Sequence, residues 1–315
     1  MYDKLIHHLK YWSGIFRQAA DFWLKSHAFA NAGSLAFFTL FSIAPVMIVI
    51  VSVIGVFYGQ EAAEGQLVLQ LQETIGPEAA EAVQTAVASS SLKGGGLMAT
   101  IGGIAAMLIG ATTVFGQMQH SLNEIWAVVP KPSRNSLFLL LRKRLTSLTI
   151  VLAVGFVMLV SLSLSVGLRL LIQHFQGWLP WYDVAFSALD LLLSLLVVSL
   201  LFGTIFKVLP DVELSWRDVA LGSILTAVLF SIGRSLIALY LSYTATASTY
   251  GAAGSLVLLL LWVNYSSLIL LYGAAFIRAH LRARGRVIQP KSVAVRVRQE
   301  IIEEPPTERP TNEGH

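Results

Sequence analysis

The sequence contains 315 residues, of which 55% are hydrophobic and only 13% are charged, and its mean hydropathy is +0.69. A soluble domain carries about 25% charged residues, so this composition excludes an ordinary soluble protein and favours an integral membrane protein. Cysteine is absent, which excludes a disulfide framework, a CxxC redox pair and a thiolate zinc site.

The N-terminal arm, residues 1–32, contains a basic amphipathic stretch over residues 4–24. Apolar residues recur there at helical spacing, at Leu5, Leu9, Trp12, Phe16, Ala20 and Trp23. A basic helix with such a face lies in the headgroup plane of a membrane. We therefore predict an interfacial amphipathic helix that sets the entry angle of the first span, with specific sensing of anionic lipid as the alternative.

Six apolar stretches follow, each long enough to cross a bilayer as a helix. They cover residues of about 33–58, 94–118, 145–168, 184–206, 219–240 and 254–277, within a transmembrane domain over residues 33–280. The outer loop 59–93 is acidic, and its Gly76-Pro77 step predicts a short helical hairpin outside the membrane. The predicted fold class is all-α, a polytopic membrane protein with six transmembrane helices.

The basic residues predict the orientation of these spans. The seven successive segments outside the spans contain four, one, five, one, two, no and eight Lys and Arg residues. Because cytoplasmic loops carry the excess of Lys and Arg, the alternation predicts that the N- and C-termini are both cytoplasmic.

The C-terminal tail, residues 281–315, is basic at first and rich in Pro and Glu later. Its basic part is expected to lie against anionic lipid. From about Gln289 onward the composition predicts disorder. The tail lacks interleaved aromatic residues for base stacking, so nucleic acid is not a predicted partner.

Two charged residues fall inside the predicted spans. Asp190 follows the outer end of the fourth span, and Arg234 precedes the outer end of the fifth, each by six residues or about 9 Å of helix. We predict an Asp190–Arg234 ion pair. It is either a structural pin between two helices or a pair that lines a substrate or proton pathway.

Several small or polar residues predict a cavity or hinge within the spans. Pro45 removes a backbone hydrogen bond from the first span, and Ser42 is close enough to satisfy a freed group. The uncharged link between the fifth and sixth spans predicts irregular backbone that dips into the bundle. The candidate cavity or hinge residues are therefore Ser42, Pro45, Tyr250, Gly251, Gly254, Asn264 and Ser266.

These segments also resemble a known family. The sequence AGSLAFFTLFSIAP at 32–45 resembles the first-span signature of the YihY/BrkB membrane proteins, as do LNEIW at 122–126 and LPD at 209–211. Further similar motifs lie at 216–218, 250–255, 261–262 and 273–275. The resemblance implies a multi-pass protein of the bacterial inner (plasma) membrane, in a family linked with lipid-like envelope components and also labelled ribonuclease BN.

The leading hypothesis is a transporter or flippase-like protein for an amphipathic or lipid-like envelope substrate. The alternative is a non-transporting membrane scaffold for envelope assembly. A membrane-bound ribonuclease is the least favoured function, because the seven His form no HxxxH or HxH pair and Asp211, Glu213 and Asp218 are interpreted as a solvated loop. No enzymatic activity, metal or cofactor is predicted. The predicted partners are membrane lipids and an unknown amphipathic substrate, and the sequence allows a homo-oligomer.

Overall fold

The computed structural model describes residues 2–58, 97–131, 182–243 and 252–297, together with single residues 69, 72, 80, 84, 155, 156, 160 and 167. The described helices are α1 Tyr2–Lys25, α2 Ala28–Tyr58, α3 Leu97–Ile125, α4 Tyr182–Val208, α5 Trp216–Tyr243 and α6 Ala252–Ala283. Two short strands are β1 Val128–Pro130 and β2 Ala294–Arg296. Apart from the single residues, the predicted outer hairpin, the third span and residues 298–315 lie outside the described residues.

The chain is mainly helical, as predicted, and the described helices extend the predicted spans by a few residues at their ends. The largest difference is at α3, which continues past the predicted end at residue 118 to Ile125. Among the described residues, three segments are long and apolar enough to cross a membrane: Leu191–Val208, Trp216–Ile237 and Val257–Ala283. Residues Ala28–Ile43 of α2 form a shorter apolar helix.

Helix α6 lies at the centre of the described bundle. It packs against α1, α2, α3 and α5, whereas α4 packs mainly against α5. In agreement, 44% of the membrane-length apolar segment of α6 is buried, whereas only 22% of the corresponding segment of α4 is buried. The fully buried side chains Leu271, Phe276 and Ile277 belong to α6 and join Phe206 of α4 in the core.

Glycines bring the backbones of α5 and α6 close together. A Cβ atom added at Gly222 would lie 2.1 Å from Ile277 Cγ1, and one added at Gly233 would lie 2.1 Å from Tyr265 Cε1. Real Cβ atoms do not approach this closely, so a side chain at either position would force its neighbour to shift. Small residues allow membrane helices to pack in this way.

Helix α1 is helical as predicted, but the side chains that it buries within the bundle lie beside the predicted apolar stripe. The side chains that it buries are Ile15, Ala19 and Phe22, each one position before Phe16, Ala20 and Trp23 of the predicted stripe. One residue corresponds to a rotation of about 100° around a helix. Leu9 and Phe16 remain 62% and 40% exposed. The reason is that α1 packs on the end of α6, where the Trp12 ring stacks with Phe276 and His280.

Residues 288–297 form an ordered segment, which we call the clasp. In it, β2 pairs antiparallel with β1, with Val129 opposite Val295. The clasp also bonds to the segment between α4 and α5, through Glu213 N–H to Gln289 O and Lys291 N–H to Asp211 O, both at 2.9 Å. The prediction of disorder from about Gln289 is therefore wrong for these residues. Partners from distant parts of the chain satisfy their backbone groups, which composition alone does not reveal.

Candidate functional site

The side-chain hydrogen bonds that join distant segments concentrate at one end of the bundle. The turn between α1 and α2, the end of α3, the segment between α4 and α5 and the clasp meet there. We call this region the polar junction; its members are His27, Asn31, Asn123, Glu124, Asp211, Ser215, Asp218, Arg286 and Lys291.

Glu124 connects the end of α3 to the turn between α1 and α2. His27 Nδ1 lies 2.9 Å from Glu124 Oε1, and Asn31 Nδ2 donates to Glu124 Oε2 at 2.7 Å. His27 lies in the turn just after α1 and has a left-handed backbone (φ 49°). One carboxylate on α3 thus holds both sides of that turn.

Asn123 and Asp211 form a reciprocal pair between α3 and the segment that follows α4. Asn123 Nδ2 donates to Asp211 Oδ2 at 2.8 Å, and the Asp211 N–H donates to Asn123 Oδ1 at 2.8 Å. Gln119 Nε2 donates to the other carboxylate oxygen at 3.2 Å. Both members of the pair are buried. Side-chain amide donors therefore replace water as the hydrogen-bond partners of the Asp211 carboxylate.

Asp218 lies in the first turn of α5, where it accepts hydrogen bonds from the residue before the helix and forms an ion pair with an arginine that precedes the clasp. The Ser215 N–H and Oγ–H donate to Asp218 Oδ2 at 2.9 and 2.7 Å, a variant of the capping box in which the acid three residues after the cap bonds back to it. Arg286 Nη1 forms an ion pair with Asp218 Oδ1. The helix N-terminus further favours a negative charge at this position.

The interpretation of Asp211, Glu213 and Asp218 as a solvated loop is wrong for two of the three residues. Asp211 and Asp218 are only 8% and 9% exposed, whereas Glu213 is exposed. The buried acids have partners supplied by α3, Ser215 and Arg286. A sequence signal existed: Asn123 and Asp211 lie within apolar stretches and in two motifs of the family resemblance.

Lys291 of the clasp holds the end of α4. Its Nζ donates to the carbonyl oxygens of Val208 and Pro210 at 3.1 and 2.7 Å. The last carbonyl groups of a helix have no partner within the helix, and a cation interacts favourably with them. The clasp therefore makes both backbone and side-chain contacts with this segment.

A cavity of about 300 Å³ lies between the end of α3, the end of α6 and the clasp. Its lining includes Arg278, Arg282, Arg286 and Arg296 together with Trp126 and Ala127. Ala127 lies in the turn just after α3 and has a left-handed backbone (φ 51°), and its carbonyl oxygen accepts from Val297 N–H at 2.9 Å. The sequence identifies these arginines only as part of a basic patch, and the cavity was not predicted.

The predicted intramembrane pair is only partly within the described residues. The side chain of Asp190 lies outside them, although its backbone belongs to α4. Arg234 is half-buried on α5, and α4 packs against α5, which the pair requires. The ion pair itself stays a prediction.

The cavity or hinge candidates have different environments. Ser42 is buried on α2, at 2% exposure, and Asn264 is half-buried on α6. The Oγ of Ser266 is buried and has no hydrogen-bond partner among the described residues. Gly254 belongs to the first turn of α6. The structure describes neither residue 250 nor residue 251, nor the side chain at position 45, so Tyr250, Gly251 and Pro45 stay predictions.

Metal-ligating side chains do not form a group in the part of the chain that the structure describes. No three His, Asp or Glu side chains come together there at a spacing suited to a metal ion. The buried acids of the polar junction are instead occupied by amide, hydroxyl and guanidinium donors.

Comparison with known proteins gives a consistent set of relatives. The family described as "Virulence factor BrkB" matches residues 20–296. A protein named "UPF0761 membrane protein" from Tolumonas auensis is 30% identical over 251 residues, which cover 78% of each chain. One of the same name from Pseudomonas aeruginosa is 26% identical over 248 residues, which cover 78% of this chain but only 58% of that relative. No solved structure matches the chain.

Proposed function

Because this chain belongs to the virulence factor BrkB family, whose relatives are named membrane proteins, we propose that it moves an amphipathic, lipid-like envelope substrate as a transporter or flippase. It acts as a six-span protein of the bacterial inner membrane with both termini in the cytoplasm. The alternation of Lys and Arg along the sequence supports this orientation.

The outer surface of the described bundle supports contact with lipid. Large apolar side chains are exposed along α4 and α5, at Leu191, Leu192, Leu196, Ile232 and Leu236. Extended apolar surface of this kind is unusual on a soluble protein. Hydrocarbon chains are the natural neighbours of these side chains.

The observation that carries the transport function is the polar face of α6 at the centre of the bundle. Ser267 is buried, Asn264 and Ser266 are half-buried, and the hydroxyl of Ser266 lacks a partner among the described residues. Polar groups inside a membrane are costly and mark substrate pathways. A bundle that served only as a scaffold would be more stable with apolar residues at these positions.

Reconstitution into liposomes tests this function. Wild-type protein should move fluorescent lipids or amphipathic solutes across the bilayer faster than protein-free liposomes do. Arg234→Gln should lower that rate by about ten-fold, the equivalent of about 1.4 kcal/mol in the barrier. Arg217→Gln is the matched control, because it removes the same charge from an exposed position on the same helix. Folded wild-type protein with no flux of any substrate would favour the scaffold alternative.

The Asp190–Arg234 pair is tested by exchanging its charges. If the pair lines a pathway, Asp190→Asn should reduce flux as strongly as Arg234→Gln while the protein stays folded. If it is only a structural pin, the double variant with Asp190→Arg and Arg234→Asp should restore both expression and flux. Restored expression without flux indicates a functional pair.

A further inference from the structure

The cavity beside the clasp carries more positive charge than its surroundings neutralise. Four arginines line it, Arg278, Arg282, Arg286 and Arg296. Among the described residues, Asp218 is the one carboxylate that forms an ion pair with any of them, and its partner is Arg286. The other three guanidinium groups have no counter-charge within the described part of the chain.

Neutral contacts orient these guanidinium groups without cancelling their charge. Arg278 donates to the carbonyl oxygen of Ile125 at the end of α3, and Arg296 donates to that of Ile288. Arg278 and Arg282 both lie over the ring of Phe22, at 4.1 and 5.7 Å from its centre. Two like charges over one ring repel each other, and a bound anion would remove that repulsion.

A second, independent observation points to the same kind of ligand. Trp126 lines the cavity and is only 4% exposed, and its indole N–H has no hydrogen-bond partner among the described residues. The indole group can only donate, and a buried donor without an acceptor is costly. Because the nitrogen itself is closed off from solvent, a small shift of the Trp126 ring would bring this donor to an oxyanion in the cavity, where the arginines already favour negative charge.

The position of the cavity along α6 matches the level of lipid headgroups. Helix α6 contains no charged residue from Val257 to Ile277, and the first two cavity arginines, Arg278 and Arg282, follow directly, one turn apart. Arginines at the end of a spanning helix lie at the membrane interface. The planar guanidinium fork matches a phosphate group in two-point contacts.

We propose that this cavity binds a phosphate group, carried by an anionic phospholipid headgroup or present as free phosphate. Arg278 and Arg282 supply the charge that faces the membrane, and Arg296 and the Trp126 N–H complete the set of donors from the α3 and clasp side. This site does not depend on transport: a protein that moves no substrate would still bind phosphate here, and loss of this site would leave the transport function to its own test.

Binding is measured by native mass spectrometry of the full chain in uncharged detergent, with phosphatidic acid and diacylglycerol of the same acyl chains as probes. The two lipids differ only by the phosphate group. Wild-type protein should retain phosphatidic acid and not diacylglycerol, and Arg282→Gln should weaken that retention by about ten-fold. Arg284→Gln is the control, because it removes the same charge from an exposed position in the turn after α6 that does not line the cavity.

A second variant separates binding from folding. Trp126→Phe keeps the apolar ring and every charge but removes the N–H donor, and it should weaken phosphatidic acid retention by a few-fold. Melting temperatures of both variants within a few degrees of the wild type show that the bundle is intact. Equal losses in Arg282→Gln and Arg284→Gln, or full retention in both Arg282→Gln and Trp126→Phe, would overturn the site.

The source of the phosphate group is decided by competition with inorganic phosphate. If millimolar phosphate raises the melting temperature and displaces phosphatidic acid from the wild type but not from Arg282→Gln, the cavity takes free phosphate. If phosphatidic acid binds and inorganic phosphate does not displace it, the ligand is a lipid headgroup. Binding of neither probe would refute the site.

Discussion

Gly273 on α6 faces Thr226 and Phe206 with no room for a side chain. A Cβ atom at this position would lie 1.9 Å from Thr226 Oγ1 and 2.9 Å from Phe206 Cζ. Ordinary carbon contacts lie at about 3.5–4.0 Å, so Gly273→Ala must push α6 away from its neighbours. Thr226 and Phe206 are both fully buried, and neither can move into open space to relieve the overlap.

The expected cost of Gly273→Ala follows from two opposing terms. Extra methylene volume in a packed core costs about 1–3 kcal/mol. Alanine in the middle of a helix gains roughly 0.5–1 kcal/mol over glycine. The free energy of unfolding should therefore fall by about 1–2 kcal/mol, or roughly ten-fold in the ratio of folded to unfolded protein.

Thermal melting in mild detergent measures this change, and Gly116→Ala is the matched control. Gly116 is also helical, but a Cβ atom there would have no neighbour within 4 Å. The melting temperature of Gly116→Ala should therefore equal that of the wild type or lie slightly above it. Adding Thr226→Ala to Gly273→Ala should recover part of the loss, because the two positions are coupled. Equal melting temperatures for Gly273→Ala and Gly116→Ala would refute the close contact between α5 and α6.

Two further predictions concern the polar junction. Asn123→Ala leaves the buried Asp211 without one donor and one acceptor and should lower the free energy of unfolding by about 2–3 kcal/mol, measured by thermal melting. Gln119→Ala is the control, because it removes only the 3.2 Å contact. A loss in Asn123→Ala no larger than that in Gln119→Ala would contradict the reciprocal pair. Lys291→Met keeps the apolar stem but releases the carbonyl oxygens of Val208 and Pro210, so it should lower the free energy of unfolding by about 1–2 kcal/mol and speed proteolysis of the clasp. An unchanged cleavage rate would argue against a holding role for the ammonium group.

The helices were predictable from sequence because their signal is local. Long apolar stretches with at most one charged residue each predicted α2, α4, α5 and α6, and these helices end within a few residues of the predicted bounds. The rotation of α1 was not predictable, because Ile15 and Phe16 are equally apolar and only the position of α6 decides which of them is buried. Local periodicity thus predicts that a helix forms, while its neighbours decide which side it buries.

The polar junction was not predictable because its partners are far apart in sequence. Asp211 and Asp218 were expected to be solvated, since acidic residues in a short loop usually are. Their burial depends on Asn123 and Arg286, which come from other segments. The clasp was missed for the same reason, because β2 at residues 294–296 pairs with β1 at residues 128–130, which is far away in the sequence. Composition reports how polar a segment is but not which partner it meets.

The clasp also sets an order for the maturation of the protein. β2 follows α6 along the chain, whereas its partner β1 follows α3, so translation leaves β1 with an unpaired edge until the last described helix has been made. An unpaired strand edge is a template for wrong pairing. The clasp can therefore close only after α6 has been made, so its closure is the last step in assembling the described bundle.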